Sequence, residues 1–295
     1  MPQVLEPVAV KVNGCREDCP FCAEAVMKNY RTKHGLEKDE DVLGDNLAAS
    51  GEITNDKGPI YPLAGGNQRI AGWEAKPGVL ESFAVKIPST PHHIIPGKAA
   101  MAKSHLEDWT RASKGKIKQD IGYTVDGPPN GIWLPHMPEI YWRKHFPGTK
   151  TPMAEYFGQT FAGLSESAKN TIGEVVMGEL SLQMHYMDHS VKYTHTDPNA
   201  NYDRECKMEC DELGDRMQLF ADEAKCPDAT DNKLYPPYPL VAMINGSSTL
   251  IRQRITGSPT QWTSWVSPLA HQFTHILKTS GRRPAYRGWF STLTF

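Results

Sequence analysis

Sustained apolar periodicity is missing from the first 82 residues of this chain and begins only at Phe83. Gly, Pro, Asp and Asn interrupt residues 1–82, leaving one short helical candidate over Ala23–His34, so this stretch reads as an irregular, cysteine-containing accessory lobe. From Phe83 the signals sharpen. A strand-like stretch, Phe83–Ile87, leads through Pro88 to Pro91-His92-His93-Ile94-Ile95-Pro96-Gly97, and a helical run over Lys98–Ala112 comes next. A second short strand is expected at Gly131–Leu134, closed by Pro135. Helices are expected at Glu166–Met184 and Asp203–Ala224, where apolar residues recur at spacings of three and four. The tail mixes helical stretches, Leu250–Ile255 and Leu269–Lys278, with Gly and Pro breaks. The order is α+β with more helix than strand: residues 1–82 as accessory region and residues 83–295 as the principal domain with a helical C-terminal extension.

The 295 residues, 39% hydrophobic, suffice for a substantial core. No stretch approaches the roughly 20 uninterrupted apolar residues of a membrane helix, and the opening MPQVLEPVAVKVNG lacks a basic start and an apolar run. The expectation is a soluble protein made in the cytoplasm.

A formal net charge of −2 offers no global attraction for nucleic acid, so phosphate contacts would have to come from local clusters. Three are present: Lys98, Lys103, Arg111, Lys114, Lys116 and Lys118; Arg143, Lys144, His145 and Lys150; and Lys278, Arg282, Arg283 and Arg287. Runs of this kind are more often solvated faces than binding sites.

The six cysteines fall into two triplets, Cys15, Cys19 and Cys22, then Cys206, Cys210 and Cys226. In a reducing compartment CxxxCPFC suits structural zinc, with His34 as a fourth ligand; in an oxidising one the same residues suit disulfides, and plain thiols are the third reading. Cys206 and Cys210 would share one face of a helix, a poor geometry for bonding to each other and a better one for sharing a third partner.

Cutting a phosphodiester requires a nucleophilic water, a base to deprotonate it and a cation to offset charge on the leaving oxygen. The paired His92 and His93 can supply base and ligand, but adjacent side chains of an extended segment leave by opposite faces. The two would need a local kink at a strand end to reach one site, and Pro91 and Pro96 bracket them with such irregularity. Asn130 precedes a short strand and can hold the base or the loop with its amide. His185 and His189 are spaced i, i+4, which on a helix would set both imidazoles on one face, close enough to share a metal.

Together His92-His93-Ile94-Ile95-Pro96, Asn130-Gly131-Ile132-Trp133-Leu134-Pro135, Gln183-Met184-His185, Asp188-His189-Ser190 and Tyr193 resemble the AHH and GHH families of the HNH and endonuclease VII superfamily, common among bacterial toxin domains. Pro91 stands where the AHH signature has Ala, and the interval from Asn130 to His185 is longer than in compact versions of the motif. The resemblance implies a ββα-metal (HNH-like) core. It makes His93 the general base, Asn130 the positioning residue in the catalytic group, and His92, His185 and His189 ligands of one divalent ion (Mg, Mn or Zn). It further implies a metal-dependent endonuclease of DNA, delivered into a target cell as an antibacterial, type VI-like effector. Its partners would be nucleic acid, a cognate immunity protein and an adaptor of the secretion apparatus, with no membrane involved.

Two other functions compete. A ribonuclease toxin would use the 2′-hydroxyl and need no metal; a non-catalytic protein would hold zinc at its cysteines and histidines only to fold. Bland roles also stand beside the sharp ones. His195 suits a loop hydrogen bond, His136 an exposed turn or a neighbour of the site, His271 and His275 a half-buried helix, and Trp133 a core position ahead of a base-stacking one.

Overall fold

The computed structural model describes residues 20–21, 40–50, 61–65, 80–87, 89–136, 139–145, 156–163, 166–186, 189–192, 201–223, 232–237 and 239–280. Four antiparallel strands form one sheet in the order β1 (Tyr61–Gly65), β2 (Leu80–Ile87), β5 (Glu139–His145), β6 (Tyr156–Thr160). Tyr61 stands opposite Ile87, Phe83 opposite Trp142 and Glu139 opposite Thr160. Strand β2 runs across residue 82, where the composition changes. A separate two-stranded sheet joins β3 (Ser89–His93) to β4 (Gly131–Pro135). The helices are α1 (Glu40–Ala49), α2 (Glu166–Leu180), α3 (Tyr202–Glu223), α4 (Pro239–Ile255) and α5 (Pro268–Ser280). Among the described residues no helix is long and apolar enough to cross a membrane.

The chain divides into two compact units, each built from three separated segments. The first takes Met1–Leu43, His93–Gly131 and Asp203–Arg252; the second takes Gly44–His92, Ile132–Tyr202 and Gln253–Phe295.

In the first unit Ile94, Ile95, Met101, Leu106, Trp109, Ile117 and Ile121 are buried with Cys206, Cys210, Leu213 and Met217 of α3 and Leu240 and Ile244 of α4. The expected helix over Lys98–Ala112 is instead a chain of short 3₁₀ turns, Met101–Lys103, His105–Trp109 and Ala112–Lys114. The local cause is side-chain competition for the backbone. Ser104 Oγ donates to Met101 O (2.7 Å) and Thr110 Oγ1 to Glu107 O (3.0 Å), beside amide bonds of the same tight spacing. The His105 amide is taken up by Asp211 Oδ1 of α3 at 2.9 Å, and the His105 ring by Asp215 Oδ1 at 2.7 Å. Although partial burial opposes it, the Asp211 carboxyl is held below its ordinary pKa by hydrogen bonds from Lys207 and the His105 amide.

In the second unit Phe161, Val176, Met177, Met184, Trp262, Leu269, Phe273 and Leu277 form one core cluster, which joins α2 to α5. Helix α5 starts one residue before the expected Leu269: Pro268 occupies the first turn, and Ser267 Oγ accepts the Ala270 amide at 3.2 Å. Helix α2 stops short of the expected Met184, because Ser181 takes a left-handed conformation (φ 52°). Beyond α2 the chain is an extended segment pinned by side chains. Gln183 is fully buried, its Nε2 donating to Ser264 O (2.7 Å) while its Oε1 accepts the Val266 amide (2.8 Å), and Ser267 Oγ donates to Met184 O (3.0 Å).

Candidate active site

The extended segment after α2 delivers His185, and a turn further on delivers His189. The i, i+4 spacing therefore does not act through a helix here. Even so, one ring-nitrogen atom each of His92, His185 and His189 lie within 4.8 Å of one another, the one such group of three His, Cys, Asp or Glu among the described residues. The rings meet by edges rather than faces. The His92 ring lies 5.1 Å from that of His185 at 61° and 4.7 Å from that of His189 at 73°, and His185 and His189 are 4.8 Å apart at 54°. Tyr202, the buried first residue of α3, closes one side at 5.4 Å from His92 and 5.5 Å from His189.

This donor set fits a divalent cation. His185 Nε2 and His189 Nε2 stand 2.6 Å apart, and two ring nitrogens that close share either one proton or a common positive charge. Among the described residues the group consists of three imidazoles, a ligand type that suits zinc and other first-row divalent ions.

His92 and His93 are consecutive residues of β3, and the pleat sends their side chains different ways. His93, buried in the first unit, bonds through Nε2 to Asp126 Oδ1 at 2.7 Å. A carboxylate only accepts, so Nε2 carries a proton, and in the neutral imidazole the lone pair is therefore on Nδ1. Asp126 sits in the turn Val125-Asp126-Gly127-Pro128, whose Gly and Pro signal a loop but nothing about the carboxylate's role. Sequence reasoning missed it for that reason, and missed Tyr202 because an aromatic at a helix start reads as core.

Asn130 is 1% exposed and its amide is saturated. Its Oδ1 accepts the Ile95 amide (2.9 Å) and Ser248 Oγ (3.0 Å), and its Nδ2 donates to Ile95 O and Val125 O (3.0 Å each). The Asn130 carbonyl also accepts the Ile94 amide at 2.8 Å. Asn130 thus staples the segment after His93 to the segment before β4, which makes it a positioning residue.

The first basic cluster is largely engaged inside the protein. Glu107 takes Lys114 (2.7 Å) and Arg111 (3.7 Å), Asp108 takes Lys116 (3.1 Å), and Lys118 lies over the Tyr235 ring at 4.3 Å. Lys98 and Lys103 are exposed. Lys278 donates to Trp262 O at 3.2 Å. The side chains of Arg143, Lys144 and His145, and residues Lys150, Arg282, Arg283 and Arg287, lie outside the described structure, as do Cys15, Cys19, Cys22, Cys226, His34, Asp188, Tyr193, His195 and the Ala23–His34 helix.

Cys206 and Cys210 are buried thiols, Cys206 Sγ donating to Ile94 O at 3.4 Å. Burial pushes the Cys210 thiol up to about 12. Trp133 is buried with its ring against Gly44 of α1. His271 and His275 stack on α5 at 6.5 Å, and burial lowers the pKa of His271, helped by the neighbouring charges of His275 and Lys278. No family model, curated protein or solved structure matches this chain.

Proposed function

We propose that this protein is a divalent-metal-dependent endonuclease, with β3 and β4 as the strand pair of a ββα-metal core and DNA as its substrate. The observation that carries the reading is the split role of one dipeptide: His92 belongs to a three-histidine cluster, and His93, the next residue, is paired with a carboxylate. His92, His185 and His189 would hold the ion, which when bound offsets negative charge on the phosphate and the leaving oxygen. Nδ1 of His93 takes a proton from the attacking water. Asp126 fixes the tautomer that leaves Nδ1 unprotonated and stabilises the imidazolium once the proton has moved. Asn130 keeps the chain on either side of that base in register.

An antibacterial effector role, with an immunity protein as its neutralising partner, extends the same proposal on the strength of the sequence resemblance alone. The test is plasmid cleavage by purified protein with magnesium, manganese or zinc, beside His93→Ala and a chelator control. Nicking that both controls abolish is the expected result, and growth arrest of a bacterial host expressing the protein should likewise be relieved by His93→Ala. Intact plasmid in every metal with folded protein overturns the DNA reading, and cleavage of RNA that survives the chelator would make the protein a ribonuclease.

A further inference from the structure

His136 comes directly after β4, and no role in the proposed chemistry falls to it. Its Nδ1 lies 2.9 Å from the main-chain oxygen of His185. A carbonyl oxygen only accepts, so His136 Nδ1 carries the proton and donates it. On the other side of the same residue, the His185 amide donates to Pro135 O at 2.7 Å. Both main-chain polar groups of His185 are therefore tied to two consecutive residues at the end of β4. One tie is a backbone bond of the kind a strand ladder makes; the other replaces the second ladder bond with an imidazole N–H. The His136 ring stands 5.7 Å from the His185 ring, but His136 is not among the three residues whose nitrogens converge within 4.8 Å.

The segment that carries His185 needs such a tie. It lies beyond the end of α2, where no helical hydrogen bonds fix it, and Gln183 and Met184 are held from the 264–267 side. We propose that His136 is a positioning residue of the metal centre: it holds the His185 peptide against β4 and so sets the ligand ring before an ion arrives. The inference rests on the reading of His92, His185 and His189 as metal ligands, not on the nuclease activity. Groups bonded directly to a ligating side chain typically change metal affinity by about 10- to 100-fold when removed, and a tie to the ligand's own peptide acts on the same ring one step further back.

Titration of the purified full-length protein with zinc by calorimetry, and with cobalt by its visible absorption, tests it. His136→Ala should weaken zinc binding by about 10- to 100-fold. His136→Asn, whose Nδ2–H can reach the same carbonyl, should restore affinity to within a few-fold of the parent. The cobalt spectrum should keep its shape in both variants, since no ligand changes, and far-ultraviolet circular dichroism confirms that each is folded. Unchanged affinity in a folded His136→Ala overturns the proposal while leaving the metal centre intact. A changed cobalt spectrum that His136→Asn fails to restore overturns it too, because His136 would then be a ligand itself. Failure of the parent protein to bind either ion removes the metal centre and the proposal together, whereas the expected binding pattern without plasmid cleavage removes only the nuclease reading.

Discussion

His93 and Asp126 are separated by 33 positions in sequence yet share a buried 2.7 Å hydrogen bond. In the proposed mechanism that bond defines the base, since in the neutral imidazole it decides which nitrogen holds the lone pair. Asp126→Asn keeps the shape but lets the amide donate to Nε2, which favours the wrong tautomer. The expected outcome is a fall in the cleavage rate of about 100-fold or more, with zinc affinity unchanged because Asp126 is no part of the three-histidine group. Single-turnover cleavage and calorimetry on the same preparation check both halves; a rate within a few-fold of the parent would remove the pair from the mechanism. Asn130 shows the contrast at this scale. A saturated amide has no bond left to offer a substrate, so its contribution is to geometry.

Among the elements, α3 meets the 3₁₀ turn at His105–Trp109 so closely that Gly214 is the residue the contact requires. A Cβ there would lie 2.4 Å from His105 C and 2.5 Å from Leu106 N, backbone atoms that cannot swing aside. Gly214→Ala would gain about 1 kcal/mol of helix propensity. Overpacking against backbone should outweigh that gain and destabilise the protein by about 1–3 kcal/mol. Gly246 of α4 is the internal control, because a Cβ there meets nothing within 4 Å, and Gly246→Ala should be neutral or stabilising. Urea unfolding of the two variants separates them, and equal effects would mean that the close approach does not matter.

At the scale of the molecule, the three histidines come from β3, from the segment after α2 and from the turn beyond it, so a bound ion would join parts of the chain that are distant in sequence. Binding to the folded state alone stabilises by mass action, by about 2.7 kcal/mol at a free ion concentration of 100 times Kd. Thermal unfolding should therefore shift upward by several degrees on adding zinc, as expected for a chain of this size. The shift should vanish with a chelator and in His189→Ala. A zinc-induced shift that persists in His189→Ala would place the stabilising ion elsewhere, with the N-terminal cysteines as the next candidates.

Which histidines and which asparagine to examine was legible in the residues alone, because HHIIP, NGIWLP and HxxxH are local patterns whose chemistry is carried by residue type and order. The same reading placed α3 to within a residue at each end, since apolar spacing is a local signal, and put the start of α5 one residue late because it took Pro268 as a break rather than as a first-turn residue. It misread the stretches where side chains compete with the backbone: the Ser104 and Thr110 bonds that break an expected helix into 3₁₀ turns, and the left-handed Ser181 that ends α2 before His185. The folded chain was needed to bring His185 and His189 together through an extended segment and a turn, to set Asp126 against His93, and to tie His185 down with His136. Those are pairings between segments that only the fold brings together, and no local propensity encodes the partner of a hydrogen bond that closes such a loop.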